Sequence, residues 1–312
     1  MRHLCLLAVG LALVVSAPAA ADDARVSVQL RPEADHAPWI YRLSVTSHED
    51  QEVAYDRRLL RLEVHVEGVR RPLKCAHPDA PNRSPQSATM SRGETHHEWI
   101  DLRMYCWGRG LQALQNGNAR ITTRFGFKRR GRNRFVARRE GERRPLNDIA
   151  GPEVTWTHSN PAGTPGPIRL GLADQSTRRS VRFRPTLRAG EGRPRVYLRD
   201  DQYRFEVEGP NGLVTCERAR LPIVPIRDRF RRLSSRRIRA NLDADYYCPE
   251  DTFDEPGVYT VTPVLNLPHS GESLGVEALT GVYEGSPGII RVRTRRYVPH
   301  DPDTLNSGEA TP

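Results

Sequence analysis

The sequence around Ser273 matches a known catalytic pattern. It lies in Gly-Glu-Ser-Leu-Gly, residues 271–275, which fits the Gly-x-Ser-x-Gly pattern of serine hydrolases. That chemistry needs a strand, a sharp elbow and a helix, followed by an acid and a histidine further along the chain. Here the pattern lies between two strand-like segments, and only His300 follows it. The residues favour a turn, and a hydrolase that uses Ser273 is kept as the weaker alternative.

The histidine pair in Glu-Thr-His-His-Glu-Trp is the next candidate, as a metal site. His96 and His97 are adjacent and Glu98 follows them, whereas two ligands on one helix face need the spacing His-Glu-x-x-His. In a strand, adjacent side chains point to opposite faces. Cys75 and His77 have no matching second pair of the kind that a zinc site requires. We therefore expect no metal ion, no cofactor and no catalytic centre.

The first 21 residues have the pattern of a cleaved export signal. Two basic or polar residues precede an apolar run over residues 4–15, and Ala19-Ala20-Ala21 fits the small-x-small cleavage rule. The run is shorter than the about 20 residues that a membrane-spanning helix needs. We expect cleavage after Ala21, a periplasmic or secreted chain, and no transmembrane segment.

Removal of Cys5 with the signal leaves four cysteines, an even number that implies disulfides in an oxidising compartment. Residues 66–75 and 207–216 both begin Val-Glu-Gly and end in Cys. Residues 100–106 and 242–248 share an aliphatic residue, an Asp and a final Tyr-Cys at the same spacing. Two motifs repeated in the same order indicate an internal duplication. The duplication predicts one disulfide in each copy: Cys75–Cys106 and Cys216–Cys248.

Alternating apolar residues predict strands, and no long amphipathic helix is evident. Leu60, Leu62 and Val64 alternate with polar residues, and Tyr203 and Phe205 continue the pattern in the second copy. Clusters of Gly, Pro and Asn separate such runs. The predicted organisation is a signal (1–21), a first β-sandwich (22–140), a Pro- and Gly-rich linker (141–167), a second β-sandwich (168–298) and a disordered tail (299–312).

A family resemblance rests on Asp-Glu-Pro-Gly-Val-Tyr-Thr-Val, residues 254–261, together with Leu242 and Tyr246. These residues resemble the late strand of immunoglobulin-like domains, and also the Ig-like domains of exported bacterial proteins, including those that precede secreted peptidases. The resemblance implies an all-β chain of two tandem Ig-like β-sandwich domains, with Tyr259 at the tyrosine corner. Val261 stands where antibody-type domains have their second cysteine. We therefore expect each disulfide to tie a strand end to a loop.

Arginine dominates the basic residues, because Lys74 and Lys128 are the only lysines in a chain with a formal net charge of +10. The forked hydrogen-bond donors of the arginine guanidinium match the geometry of phosphate, sulfate and carboxylate groups. The arginine clusters therefore predict an anion-binding surface. The alternative explanation of the arginine clusters is that the composition of the genome favours arginine over lysine and that solvated strand faces need charged residues in any case. The densest cluster, and our candidate surface, is Lys128, Arg129, Arg130, Arg132 and Arg134.

Further clusters lie in the second copy: Arg229, Arg231, Arg232, Arg236, Arg237 and Arg239, then Arg291, Arg293, Arg295 and Arg296.

We expect an exported, non-enzymatic binding or scaffolding protein of the bacterial periplasm or cell surface. Its partner would be a protein, an acidic glycan or an envelope component. Export and the lack of a recognised motif argue against nucleic acid. The resemblance implies one alternative, an inhibitor or accessory factor of a secreted peptidase.

Overall fold

The computed structural model describes residues 25–33, 37–81, 85–117, 119–131, 133–157, 166–219, 222 and 224–294. The predicted signal and tail lie outside these ranges. Strands dominate the described residues, which confirms the predicted all-β class; the α-helices among them are short, α1 (Leu102–Tyr105) and α2 (Arg109–Gln115). None of the helices in the described part of the chain has the length and apolar character to cross a membrane.

The first half, residues 25–157, forms antiparallel sheets in the orders β1-β2-β7, β10-β8-β4-β5 and β6-β3-β9. The apolar positions of β4 face inward as the alternation predicts, since Leu60, Leu62 and Val64 are buried. The strands are β1 (Val26–Pro32), β2 (Ile40–Ser47), β3 (Gln51–Ala54), β4 (Leu60–Val66), β5 (Leu73–Ala76), β6 (Ser87–Met90), β7 (Thr95–Asp101), β8 (Ala119–Gly126), β9 (Ala137–Arg138) and β10 (Asp148–Trp156).

The second half, residues 166–294, has a main sheet in the order β12-β23-β21-β16-β17, with β22 also paired to β21. A three-stranded sheet, β11-β14-β19, and the pairs β13-β20 and β15-β18 complete it. The strands are β11 (Ile168–Leu172), β12 (Gln175–Thr177), β13 (Arg182–Phe183), β14 (Pro185–Ala189), β15 (Arg195–Tyr197), β16 (Tyr203–Gly209), β17 (Gly212–Glu217), β18 (Phe230–Arg232), β19 (Ile238–Arg239), β20 (Leu242–Asp243), β21 (Gly257–Leu267), β22 (Gly281–Glu284) and β23 (Gly288–Val292).

The sequence duplication is also a duplication of structure. The order β10-β8-β4-β5 in the first half corresponds to β23-β21-β16-β17 in the second, and β1-β2-β7 corresponds to β11-β14-β19. The repeated aspartates play the same part: Asp101 accepts a hydrogen bond from the backbone N–H of Arg103, and Asp243 accepts one from Asp245. Each begins a short helical turn, as an N-cap residue does.

The repeated tyrosines also make matching bonds. The Tyr105 hydroxyl donates to the carbonyl of Arg57 over 2.9 Å, and the Tyr247 hydroxyl donates to the carbonyl of Asp200 over 2.7 Å. Both carbonyls belong to a 3-10 turn that precedes the central strand of the main sheet, β4 or β16. The two Tyr-Cys motifs therefore hold the same pair of elements together in both halves.

The structure contains both disulfides with the pairing that the repeat predicts, Cys75–Cys106 and Cys216–Cys248. In each half the bond joins a strand at the edge of the main sheet, β5 or β17, to the segment that follows the short helical turn. Cys75, Cys106 and Cys216 are buried against the apolar clusters. Because disulfides persist in oxidising compartments, the pair indicates a periplasmic or extracellular environment.

Each half has its own hydrophobic core. In the first, the Trp156 ring lies 4.7 Å from that of Trp39, and its indole N–H donates to the carbonyl of Leu114. In the second, Phe183 stacks on Phe205 at 4.0 Å. Ile289, on β23 of the second half, joins the core of the first. Val258 on β21 packs against the same core, so apolar residues of the second half contact the core of the first.

One boundary prediction is wrong: residues 148–156, assigned to the linker, form β10, which pairs with β8. The register shifts between Ala150 and Glu153, so Pro152 lies at a bulge, where a β-strand tolerates proline. A Cβ on Gly151 would lie 2.2 Å from the Thr123 hydroxyl, so this close approach needs glycine. The bulge hides the alternation that would have identified the strand.

Candidate functional site

The predicted anion-binding residues lie in the loop that follows β8. Lys128, Arg129 and Arg130 are exposed, and Arg134 is half-buried, with its N–H bonded to the carbonyl of Gly131. Arg132 lies outside the described residues. Within the part of the chain that is described, no acidic side chain forms an ion pair with Lys128, Arg129 or Arg130. Lys128, Arg129 and Arg130 therefore present positive charge that no described carboxylate compensates.

In the main sheet of the first half, by contrast, two opposed arginines share a carboxylate partner. Arg61 on β4 lies directly opposite Arg124 on β8, and both pair with Asp148. Opposed like charges are unfavourable across strands, and here the shared carboxylate compensates for them. Arg25 and Arg139 similarly share Glu49.

The second half contains a feature that we name the arginine ribbon, residues 185–197 paired with residues 230–239. The pairs β14-β19 and β15-β18 form its two ends. They are joined by backbone bonds from Ala189 to Ser234 (3.0 Å) and from Leu233 to Pro194 (2.8 Å), which make the ribbon continuous. Its arginines are Arg188, Arg193, Arg195, Arg231, Arg232, Arg236, Arg237 and Arg239, against one acidic residue, Glu191.

Like charges face each other along this ribbon. Arg195 lies directly opposite Arg232, and Arg188 lies opposite Arg169 of the adjoining strand β11. All the ribbon arginines are exposed except Arg188, which is half-buried. Among the described residues, no ion pair involves any of them. The cross-strand repulsion that Asp148 relieves in the first half is thus unrelieved here, and a bound anion would relieve it.

A second candidate region is the cleft where the two halves meet. The Arg103 guanidinium holds Asp101 with bonds of 2.7–3.1 Å and donates across the cleft to the Thr260 hydroxyl over 2.9 Å. Arg178 of the second half forms an ion pair with Asp79 of the first. These contacts bring polar side chains of both halves into one place.

Arg291 is the most deeply buried cation of this cleft, with 7% of its surface exposed. It donates to the carbonyl of Met104 over 2.9 Å and lies 4.5 Å from the ring of Trp107. Burial, together with the nearby charge of Arg293, lowers the pKa of Arg291 to about 10. It remains charged at neutral pH, and none of the described carboxylates forms an ion pair with it.

His77 lies in the same cleft, and its Nδ1 accepts a hydrogen bond from the backbone N–H of Asp79. Burial lowers the pKa of His77 to about 4, because the charged ring would lose its hydration. Burial also raises the pKa of the neighbouring Tyr105 hydroxyl above its ordinary range. The histidine is therefore neutral near pH 7, and the arrangement suits binding better than proton transfer.

The other residues considered for chemistry are not brought together. Ser273 is exposed in the 3-10 turn Glu272–Leu274, and a strand, β22, follows it where a hydrolase elbow leads into a helix. His300 lies outside the described residues. His97 bonds to the Ser44 hydroxyl, whereas His96 lies 3.4 Å from Glu98. In the described ranges, no group of three or more residues of metal-ligating type is found.

No protein-family model matches the chain, and no curated protein matches it. The function must therefore be inferred from its own residues. The arginine content of residues 230–239 is visible in the sequence, but the register that sets Arg232 against Arg195 is not. The cleft had no sequence signal, because its residues come from segments up to about two hundred positions apart, as Met104 and Arg291 are.

Proposed function

We propose that this is an exported, non-enzymatic binding protein of two tandem Ig-like β-sandwich domains, which recognises an acidic glycan through its arginine ribbon. The observation that carries the proposal is the row of opposed arginines in the second half, Arg169 with Arg188 and Arg195 with Arg232, which form no ion pair with any described residue. A row of repeated cations suits a polymer with repeated anionic groups better than one small ligand. The 128–134 loop supplies further positive charge.

The Ig-like assignment draws support from the sheet order and from one tyrosine. The order β23-β21-β16-β17 corresponds to the G-F-C sheet of Ig-like domains with an added edge strand. The Tyr259 hydroxyl, near the start of β21, donates to the carbonyl of Glu255 over 2.7 Å. This is the bond expected at a tyrosine corner. Val261 is buried at the position of the second antibody cysteine.

Binding to a sulfated polysaccharide, measured by calorimetry at several salt concentrations, tests the proposal. The change is Arg188→Gln/Arg232→Gln, and the matched control is Arg70→Gln/Arg71→Gln, which removes the same charge from exposed positions outside the ribbon. An exposed ion pair contributes up to about 1 kcal/mol, so we expect the ribbon variant to bind up to about 30-fold more weakly. Its salt dependence should also be shallower.

The ribbon variant should fold at least as stably as the wild type, because it removes like charges that face each other. A loss of binding would then not be a loss of folding. Equal weakening in the ribbon and control variants would indicate non-specific attraction by net charge and overturn the proposal. Binding to vesicles of anionic lipid but not to the polysaccharide would assign the ribbon to a membrane surface instead.

A further inference from the structure

The cleft between the halves contains two adjoining cavities, of about 350 Å³ and about 430 Å³. Both are lined by Arg57, His77, Met104 and Pro256, so they form one elongated space. Together they fall within the roughly 300–1,000 Å³ of small-molecule sites, which occur preferentially at interfaces between domains. The cleft is separate from the arginine ribbon, since no residue of the ribbon lines either cavity.

The first cavity has an apolar wall built by both halves. Trp99 is 47% exposed, and the Arg42 guanidinium lies 4.5 Å from its ring, which holds the ring in place. From the second half, Pro210 packs against Gly257, where a Cβ would approach the proline ring to 2.5 Å. The remaining apolar residues of this wall are Ile40, Ile100, Met104, Pro256 and Val258.

Three arginines and three carboxylates line the second cavity, and Arg178, which pairs with Asp79, lies beside it. Arg58 is paired with Asp56, Arg178 is paired with Asp79, and Arg57 lies 3.6 Å from Glu98. Arg293 also lines the cavity, and within the described residues it has no carboxylate partner. Its Nε is buried with no hydrogen-bond partner. Such a group is costly to leave unsatisfied.

Asp79 provides a complementary group in the same cavity. One of its carboxylate oxygens pairs with Arg178, and the other, Oδ2, is buried and has no hydrogen-bond partner among the described residues; the same holds for Nε of Arg178. Arg293 and Asp79, which both line the second cavity, thus each have an unsatisfied polar atom, and the first cavity adjoins them with its apolar wall. A ligand that fits all three carries an anion, a hydrogen-bond donor and an apolar side chain.

We propose that the cleft binds an N-acylated amino acid with an apolar side chain, either free or as the C-terminal residue of a peptide. Its carboxylate pairs with Arg293, its amide N–H donates to Asp79 Oδ2, and its side chain packs against Trp99 and Pro210. A single negative charge fits better than the double charge of a phosphate, because Asp79 and Glu98 line the same cavity. Arginine also matches the planar carboxylate in geometry.

Titration of the whole protein with N-acetyl-phenylalanine, followed by calorimetry and by the indole NMR signal of Trp99, tests the proposal. Two ligands isolate the polar contacts on the unchanged protein. N-acetyl-phenylalaninamide lacks the carboxylate, and 3-phenylpropanoate lacks the amide N–H. A charge-assisted hydrogen bond contributes about 1.5–3 kcal/mol, so we expect the amide to bind at least about 10-fold more weakly than the acid. Phenylpropanoate should fall between them.

Arg293→Gln should cause the same loss as removal of the ligand carboxylate, whereas Arg70→Gln, at an exposed position outside the ribbon and the cleft, should leave binding unchanged. If the Arg293 variant does not fold, the comparison of acid and amide on the wild-type protein still decides. Equal affinity for acid and amide, or no saturable binding of either, would overturn the proposal.

Peptides with free and amidated C termini distinguish the two sources of the ligand. Tighter binding of the peptide with a free C terminus than of N-acetyl-phenylalanine assigns the site to peptide ends. The reverse order assigns it to the free acid.

Failure here leaves the proposed function intact, because Arg293 is not part of the ribbon and polysaccharide binding is measured separately.

Discussion

At the scale of single residues, burial determines the character of the cleft. His77 packs edge-on against Tyr105 at 5.4 Å and is held neutral by its lowered pKa. Arg291 stays charged, because even its lowered pKa of about 10 is well above neutral pH. A neutral imidazole beside a fixed guanidinium is a stable arrangement for binding an anion, and it supplies no group that gains and loses a proton at pH 7.

The lowered pKa of His77 makes stability depend on pH. The unfolded chain takes up a proton near pH 6.5, whereas the folded chain does so only near pH 4. The stability contributed by the neutral ring is therefore complete above about pH 6.5 and is lost as the pH falls towards about 4. We expect His77→Gln to flatten this part of the curve of unfolding free energy against pH, measured by denaturant titration. The exposed His48→Gln is the control, and an unchanged slope in the His77 variant would contradict the assignment.

Single residues also show what the sequence reveals and what it conceals. The repeated Asp and Tyr-Cys motifs predicted a duplication, and the matching bonds of Tyr105 and Tyr247 show that the repeated residues have the same structural role. The unsatisfied atoms of Asp79 and Arg293 had no such signal. Whether a buried polar atom finds a partner depends on packing between distant segments, which no local pattern reports.

At the scale of elements, the alternation of apolar and polar residues correctly predicted strands where the strands are regular. The runs around Leu60 and Tyr203 became β4 and β16, with the expected residues facing inward. The strand β10 was missed because Gly151 and Pro152 interrupt its pattern at a bulge. The short strands β14, β15, β18 and β19 were missed for a related reason: runs of two to five residues carry too little alternation to detect.

The two disulfides allow a prediction at the element scale. They close loops of similar length, with separations of 31 and 32 residues, so each should stabilise its half by about 3.5 kcal/mol through the unfolded chain. We expect Cys75→Ala/Cys106→Ala and Cys216→Ala/Cys248→Ala to lower the free energy of unfolding by similar amounts. Calorimetry of each variant against the oxidised wild type measures this. A loss confined to one pair would show that the halves are not equivalent in stability.

At the scale of the whole molecule, the two halves are joined by polar contacts as well as by Ile289. Arg103 reaches Thr260, Arg291 reaches Met104, and Arg178 pairs with Asp79. The last pair is partly buried, with 25% and 14% of the side chains exposed. Removing one partner of such a pair leaves the other charge unpaired in poor solvation.

Arg178→Gln should therefore loosen the joint, because Asp79 would lose its partner. We expect faster amide hydrogen exchange in residues 77–79 of the first half, although the substitution is in the second. Arg179→Gln removes the same charge from the adjacent, exposed position and serves as the control. Equal exchange rates in the two variants would mean that this ion pair does not couple the halves.

The placement of Ile289 has a consequence for how the chain matures. A ribosome delivers residues 26–156 long before residue 289, yet the apolar cluster of the first half is completed by that late isoleucine. A newly made first half lacks this apolar contact until residue 289 has been translated. Truncated chains that end before β23 should therefore expose apolar surface in a half whose own strands are all present.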